Sequence, residues 1–197
     1  GNRCFDECLP EETNRRIVDI ISDVNICYSE HARRYLNASS VAPQRTYVSG
    51  SPMAEVLHEN LEEIMNSDVH ARLGLEKGKY ILLSAHREEN IDTEKNFISL
   101  FTAINKMAEK YDMPILYSCH PRSRKRLEAS GFVLDPRVIR QEPLGFHDYN
   151  CLQMNAFAVV SDSGTLPEES SFFTSLGHSF PAVCIRTSTE RPEALDK

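Results

Sequence analysis

Long apolar runs, a surplus of positive charge and paired cysteine motifs are missing from this sequence, and each absence excludes a class of protein. No apolar run approaches the roughly 20 residues that a membrane-spanning helix needs, and the stretch from Gly1 to Pro10 has neither the apolar core nor the basic lead of a signal peptide. The formal net charge of −7 argues against a general affinity for nucleic acid. We therefore expect a cytoplasmic protein with no membrane and no nucleic-acid partner, whose ligand is a small molecule.

The six cysteines show neither a CxxC pair nor a histidine at zinc-finger spacing. Cys27, Cys119 and Cys184 adjoin apolar runs that are typical of strands, where a free cysteine behaves as a small hydrophobic residue. No secretion signal favours disulfides, so we interpret the cysteines as reduced, mostly buried thiols. The full set is Cys4, Cys8, Cys27, Cys119, Cys151 and Cys184.

Helix and strand patterns alternate along the chain, which predicts an α/β protein with a parallel, doubly wound sheet. Lys77-Gly78-Lys79 interrupts the pattern, and we place a boundary near residues 74–79 between one domain at 1–76 and a second at 77–197. The predicted helices cover residues 9–23, 29–36, 53–65, 96–111, 122–130, 148–154 and 168–175. The predicted strands cover residues 24–28, 46–48, 80–84, 115–118, 138–139, 158–160 and 182–185.

The segment from Ser161 to Glu169 has the pattern of an anion site. A Ser163-Gly164 turn follows an apolar strand, and Pro167 suits the first turn of a helix, where its missing N–H costs nothing. The free N–H groups and dipole of that helix start suit a diphosphate, Glu169 could accept hydrogen bonds from sugar hydroxyls, and Arg191 could supply a cation. Ordinary capping and loop chemistry gives the same pattern, so by itself it leaves both interpretations open.

His86 and Glu11 are two further candidates with plain structural alternatives. His86 follows a predicted strand and could donate a hydrogen bond to a phosphate oxygen or move a proton near neutral pH, but a surface loop histidine has the same pattern. Glu11 and Glu12 lie in the first turn of a predicted helix, where carboxylates also serve simply to stabilise the helix dipole.

Five motifs give these residues a context, because they occur in one order with plausible spacing. They are PEETNR at 10–15, SAHREEN at 84–90, QEPLGF at 141–146, SDSGTLPEE at 161–169 and TERPE at 189–193. Together they resemble the non-hydrolysing UDP-N-acetylglucosamine 2-epimerase family over nearly the whole chain. The runs GNRCFD at 1–6 and RTSTERPEALD at 186–196 are similar to the branch that makes UDP-N-acetyl-L-fucosamine for surface polysaccharide.

The resemblance implies two Rossmann-like domains of the GT-B type. Residues 1–76 would be the end of an incomplete first domain, and residues 77–197 a UDP-binding domain without its C-terminal end. The family's members are longer than this chain, so we expect a piece of a homodimeric enzyme that shows no turnover by itself. No metal or redox cofactor is implied.

The resemblance also implies roles for individual residues. Glu11 matches a carboxylate that faces the sugar, and His86 a histidine that contacts the diphosphate and has a catalytic part. The remaining positions match groups that bind the nucleotide: Gln141 and Phe146 the uracil, Ser163, Gly164 and Thr165 the diphosphate, Glu169 the ribose and Arg191 a phosphate. Many relatives carry a second glycine where Thr165 stands.

The implied reaction eliminates UDP from C1 of a UDP-sugar and adds it back after the configuration at C2 has changed. The two runs of the L-sugar branch favour UDP-2-acetamido-2,6-dideoxy-L-talose as the substrate and UDP-N-acetyl-L-fucosamine as the product. Conversion of UDP-N-acetylglucosamine to UDP-N-acetylmannosamine is the alternative within the family. A GT-B glycosyltransferase is the alternative outside it, because such an enzyme also binds a nucleotide diphosphate on its second domain.

Overall fold

The computed structural model describes residues 1–4, 10–91, 93–186, 189 and 191. The chain divides into two compact units, which we call unit 1 (Gly1–Ala54 with Thr187–Lys197) and unit 2 (Glu55–Arg186). The division between the units falls after Ala54, earlier in the chain than the boundary predicted near residues 74–79, because the helices that follow Ala54 pack within unit 2. The domain limits at 1–76 and 77–197 stay a prediction.

Unit 2 contains a parallel five-stranded sheet with the order β5-β4-β3-β6-β7. The central strands form from short apolar runs whose side chains are almost wholly buried, as expected when helices cover both faces of a parallel sheet. This confirms the predicted α/β class with its doubly wound sheet. The strands are β3 (Ile81–Ser84), β4 (Ile115–Ser118), β5 (Val138–Gln141), β6 (Ala158–Ser161) and β7 (Ala182–Cys184).

Most helices of unit 2 lie where the pattern predicts them, but the helix predicted over 53–65 is interrupted at Asn60. The Asn60 side-chain amide donates to the Val56 carbonyl (2.8 Å), a local bond by which asparagine competes with helix continuation. Two short helices were not predicted: Val69–Leu73 and Glu88–Ile91. The helices are α3 (Met53–Glu59, which begins in unit 1), α4 (Leu61–Met65), α5 (Val69–Leu73), α6 (Glu88–Ile91), α7 (Glu94–Tyr111), α8 (Pro121–Ser130), α9 (Phe146–Met154) and α10 (Leu166–Ser175).

An aromatic cluster forms part of the core of unit 2. The Phe101 ring packs on Phe97 and Tyr117, with centroid separations of 4.7 and 5.5 Å, and on Phe132 at 6.1 Å. Phe101 and Tyr117 are fully buried. This aromatic packing holds α7 against the face of the sheet at β4. It therefore helps to fix the position of the strand ends.

The strand order creates a topological switch point between β3 and β6. From β3 the chain proceeds through β4 to β5 on one side, and α9 then returns it to β6 on the other side of β3. Because all strands are parallel, their carboxyl ends share one edge, and open α/β sheets bind ligands outside that edge at the switch point. One register row runs along it: Gln141, Ser118, Ser84, Ser161 and Cys184.

Unit 1 is smaller and contains a two-stranded parallel sheet in which Asn25 pairs with Thr46. A small core of Cys27, Ala32, Leu36 and Val41 lies beside it. Its elements are α1 (Pro10–Ile21), β1 (Asn25–Cys27), α2 (Glu30–Ala38), a 3-10 helix (Pro43–Arg45) and β2 (Thr46–Val48).

No helix in the described parts of either unit is long and apolar enough to cross a membrane. Cys27, Cys119 and Cys151 are buried free thiols. Cys184 is exposed, contrary to the expectation for that residue, because β7 is an edge strand of the sheet as described. Cys8 lies outside the described residues.

Candidate functional site

A buried carboxylate, Asp162, organises the switch point of unit 2. It directly follows β6 and is 0% exposed. Its Oδ2 accepts hydrogen bonds from the backbone N–H groups of His86 and Arg87, both at 2.9 Å, and from the Asn90 side-chain amide at 3.0 Å. These donors belong to the segment after β3, so the carboxylate fastens the loop after one strand to the end of its neighbour.

Backbone groups reinforce this junction. The Asp162 N–H donates to the Ser84 carbonyl (3.1 Å), and the Asp162 carbonyl accepts from Arg87 Nε (2.9 Å). The Asn90 amide also donates to the Ile185 carbonyl after β7 (3.0 Å). The ends of β3, β6 and β7 are therefore held in one hydrogen-bonded arrangement.

The His86 ring lies on this frame and is open to solvent. Its Nδ1 is 3.1 Å from Asp162 Oδ1, while the His86 side chain is 52% exposed. A histidine with one nitrogen close to a buried carboxylate and the rest of the ring exposed is suited to meet a ligand above the sheet edge.

The turn after β6 forms a directed chain of hydroxyl hydrogen bonds. Thr165 Oγ1 donates to Glu169 Oε1 (2.7 Å), so the 2.9 Å bond between the hydroxyls of Ser163 and Thr165 must be donated by Ser163. The Ser163 N–H in turn donates to Ser161 Oγ (3.0 Å). This chain fixes the turn immediately before α10, whose N-terminus lies at the switch point.

Glu169 is held from two sides at the start of α10. In addition to the Thr165 hydroxyl, the Gln153 amide donates to Glu169 Oε2 (3.1 Å), and Gln153 also donates to Asn150 (3.2 Å). Glu169 is only 9% exposed. Both of its oxygens therefore have fixed directions, and each retains capacity to accept a further hydrogen bond from a hydroxyl.

Tyr149 adds a neutral hydroxyl to the same region. Burial is the largest cause that raises the pKa of Tyr149 to about 12, and the charges of Glu169 and Asp162 raise it further, while hydrogen bonds with Ser84 and Ser161 oppose the rise. The tyrosine therefore stays protonated at neutral pH beside the two carboxylates.

Gln141 and Phe146 lie farther along the carboxyl edge. Gln141 ends β5 and is half-buried, and Phe146 begins α9 with 42% of its surface exposed. Three strand spacings separate Gln141 from Ser161 in the register row, about 14 Å at the usual interstrand distance. An extended ligand above this edge could reach both ends of the row.

Unit 1 contains Glu11 and Arg191, the other two predicted site residues. Glu11 is exposed on the first turn of α1. The Arg191 guanidinium carbon lies 5.8 Å from the centroid of the Tyr28 ring, and the Arg191 backbone N–H donates to Thr189 Oγ1 (3.2 Å). Sequence reasoning assigned Arg191 to the second domain, whereas its contacts place it with unit 1.

Glu12, the neighbour of Glu11, has a structural role. It is 1% exposed and accepts from the Cys4 N–H (3.0 Å) and from Arg16 Nε (3.1 Å). Burial raises the pKa of Glu12, but the hydrogen bonds from Cys4 and Arg16 outweigh burial and hold that pKa below its ordinary value. The two carboxylates of the motif therefore differ: Glu12 is a buried anchor and Glu11 is an open group.

The structure thus brings His86, Ser163, Gly164, Thr165 and Glu169 together at the switch point, with Gln141 and Phe146 along the same edge. Sequence reasoning missed Asp162 and Asn90, although both stand inside motifs that it singled out. It also missed Tyr149 and Gln153 on α9, which no motif marks. In the described part of the chain, no group of three or more His, Cys, Asp or Glu side chains could hold a metal ion.

This arrangement defines unit 2 as a doubly wound α/β unit with a polar binding edge at its switch point. The whole chain, residues 1–197, matches the model of the UDP-N-acetylglucosamine 2-epimerase family. The protein therefore belongs to that family.

Individual relatives agree with this assignment. The chain is 30% identical over 203 residues to the UDP-N-acetylglucosamine 2-epimerase of Methanococcus maripaludis, covering 100% of this chain and 54% of the relative. It is 43% identical to the solved UDP-N-acetylglucosamine 2-epimerase of Rickettsia bellii, with a TM-score of 0.87. This match covers 100% of the present chain and 51% of the Rickettsia bellii chain. The enzyme of Methanocaldococcus jannaschii, solved with UDP-GlcNAc and UDP, has a TM-score of 0.87 at 30% identity, with 99% of this chain and 54% of that one covered. The chain therefore spans about half the length of these relatives.

Proposed function

We propose that the protein acts as a UDP-sugar 2-epimerase that converts UDP-2-acetamido-2,6-dideoxy-L-talose to UDP-N-acetyl-L-fucosamine for surface polysaccharide. The observation that carries the proposal is the switch point of unit 2, where His86 and the Ser163–Thr165 turn meet beside the N-terminus of α10. This site supplies what a nucleoside diphosphate needs: donors, a helix N-terminus and an adjacent carboxylate for sugar hydroxyls.

The proposed reaction proceeds by elimination and re-addition. A base removes the C2 proton, the electron pair forms a double bond between C1 and C2, and the bond from C1 to the diphosphate oxygen breaks so that UDP leaves with its electrons. Return of a proton to the opposite face of C2 and attack of UDP on C1 give the epimer. Atoms and electrons balance without a redox step.

In this scheme the diphosphate lies above the turn Ser163–Thr165 at the start of α10, with His86 beside it. The Glu169 carboxylate accepts from the ribose hydroxyls, and its two protein donors hold it in the required orientation. The separation of about 14 Å between Ser161 and Gln141 suits a nucleotide whose base extends along the sheet edge to Gln141 and Phe146.

The family resemblance also gives roles to Glu11 and Arg191, both in unit 1. An exposed carboxylate such as Glu11 can exchange a proton at C2, and a guanidinium such as Arg191 can take two phosphate oxygens at once. Following the family resemblance, we also propose a cytoplasmic homodimer, which sedimentation of the purified protein would measure.

The identity of the substrate's sugar is a separate part of the proposal. The runs at 1–6 and 186–196 favour the L-sugar, but 5–6, 187–188, 190 and 192–196 lie outside the described residues. The relatives above are named for UDP-N-acetylglucosamine, which makes its conversion to UDP-N-acetylmannosamine the second candidate.

Deuterium exchange tests the reaction. The full-length protein incubated in D2O with each purified UDP-sugar should incorporate deuterium at C2 without any acceptor, and NMR should show the L-sugar epimer. Activity on UDP-N-acetylglucosamine alone would replace the first substrate by the second. UDP release that requires an acceptor would instead identify a glycosyltransferase. The same assay on residues 1–197 tests the expectation that they show no turnover alone.

Calorimetric titration with UDP tests the binding residues. Thr165→Val and Glu169→Gln should each weaken UDP binding by about tenfold, because the first removes the hydroxyl before α10 and the second replaces an oriented carboxylate with a neutral amide. Arg191→Ala should weaken it similarly, and Arg45→Ala, an arginine of unit 1 that binds backbone carbonyls, is the matched control. Unchanged affinity in all three site variants would contradict the proposed nucleotide site.

A further inference from the structure

The two oxygens of Asp162 have different tasks. Oδ2 already accepts from three donors: the N–H groups of His86 and Arg87 and the amide of Asn90. Oδ1 lies 3.1 Å from His86 Nδ1 but has no hydrogen-bond partner among the described residues. One oxygen therefore anchors the loop, and the other is left to the imidazole ring.

This geometry decides where the neutral ring carries its proton. A buried acceptor without a hydrogen bond costs free energy, and an ionised carboxylate can only accept, so Oδ1 is satisfied when Nδ1 carries the proton and a small turn of the ring directs that proton at the carboxylate. Nδ1 then carries the proton, and Nε2, on the other side of a half-exposed ring, presents its lone pair outward. A proton taken up at Nε2 would place a positive charge beside a buried carboxylate, which balances it, and would direct an N–H toward an anion.

We propose that Asp162 is the positioning residue for His86: it orients the ring, keeps the proton on Nδ1 and makes Nε2 the nitrogen that meets the ligand's diphosphate. The identity of that ligand rests on the proposed function. The orientation and the proton position rest only on the contacts of Asp162.

The variant Asp162→Asn separates positioning from mere support of the loop. Three donors converge on the Oδ2 position, so the amide oxygen of Asn must take that place and its NH2 group must face His86 Nδ1. A donor opposite Nδ1 requires Nδ1 to accept, and the proton of the neutral ring must move to Nε2. The loop keeps its anchor while the ring changes tautomer.

Nitrogen-15 NMR of the protein labelled at histidine reads this change directly. In the unaltered protein the neutral His86 ring should be the Nδ1–H tautomer, and in Asp162→Asn it should be the Nε2–H tautomer. Asp135→Asn, which removes a carboxylate held by Arg137 elsewhere in unit 2, is the control and should leave His86 as the Nδ1–H tautomer. An Nε2–H tautomer in the unaltered protein would overturn the proposal even if the variant failed to fold.

UDP titration of the same samples measures the consequence. Asp162→Asn should weaken UDP binding by about five- to tenfold, because the ring loses the carboxylate beside Nδ1 and can offer the diphosphate only a neutral hydrogen bond. A changed tautomer with unchanged UDP affinity would refute the positioning role. If UDP fails to bind the unaltered protein, the proposed function is wrong, and the tautomer spectra alone decide whether Asp162 positions the ring.

Discussion

The two compact units place similar helix patterns in opposite environments. In unit 2 one apolar face of α7 is buried, with Phe97, Phe101 and Ile104 at most 1% exposed. In unit 1 the apolar side of α1 is open, with Ile20 64% and Ile21 73% exposed. Helical periodicity therefore predicts that a helix has an apolar face, but it does not predict what that face contacts.

The buried side chains of α1 in unit 1 are charged. Glu12 is 1% and Asp19 7% exposed, and Arg3, 3% exposed, lies 2.5 Å from Asp19 and 4.0 Å from Glu12. Unit 2 packs its longest helix with aromatic rings, and unit 1 packs α1 with ion pairs. The stability of the two units should therefore respond to different substitutions.

The largest effect is expected from Phe101→Ala in unit 2. Removal of this fully buried ring, which packs on Phe97, Tyr117 and Phe132, should lower the free energy of unfolding by about 3–5 kcal/mol. Urea denaturation followed by circular dichroism would measure the change.

Two matched substitutions sharpen this result. Ile98→Ala lies on the same helix but removes a side chain that is 44% exposed, and Ile20→Ala removes one from the open face of α1. Each should cost well under 1 kcal/mol, with about 0.5 kcal/mol typical of exposed sites. If Ile20→Ala cost as much as Phe101→Ala, the open face of α1 would be covered in solution and the contrast between the units would fail.

An intermediate effect is expected from Glu12→Gln in unit 1. The substitution keeps the shape but removes the charge that Arg16 and the Cys4 N–H bind, so it should destabilise α1 by about 2 kcal/mol. Hydrogen exchange should show faster opening of the α1 amides and unchanged protection in the sheet of unit 2.

The neighbouring carboxylate supplies the control. Glu11→Gln alters an exposed group and should leave the exchange of α1 within about 0.5 kcal/mol of the original protein. The pair thus separates the structural carboxylate from the proposed catalytic one. Equal destabilisation by both substitutions would mean that Glu11 also anchors the helix.

Much of this fold could be predicted from the sequence, because strands such as Ile115–Ser118 are continuous apolar runs and helices such as α7 have a clear period. The break at Asn60 could not, since no proline or glycine marks it between Met53 and Met65. The role of Asp162 was also hidden, because its donors lie 72 to 76 residues earlier in the chain. The sequence motifs include these segments, but only the folded sheet shows which side chain holds them together.

The smallest effect concerns a buried histidine of unit 2 that contacts neutral groups, whereas the buried charges of α1 in unit 1 form ion pairs. His70 Nε2 lies 3.0 Å from the Tyr80 hydroxyl, which itself donates to the Leu152 carbonyl at 2.6 Å, so Nε2 must be the donor to Tyr80. Its Nδ1 lies 3.8 Å from the Cys151 sulfur. Burial lowers the pKa of His70 below its ordinary value of 6.5, and the positive charge of Lys77 lowers it further.

The sign of the pH effect follows from this lowered pKa. As the pH falls below 6.5, the unfolded chain binds a proton at His70 before the folded protein does, so stability is lost until the pH reaches the folded pKa. The advantage in unfolding free energy of the original protein over His70→Gln should therefore shrink between about pH 7 and pH 5, as urea denaturation at each pH would show. An advantage that stayed constant over this range would mean that His70 takes up a proton within the folded core, and that the polar contacts of unit 2 accommodate charge as readily as the ion pairs of unit 1 do.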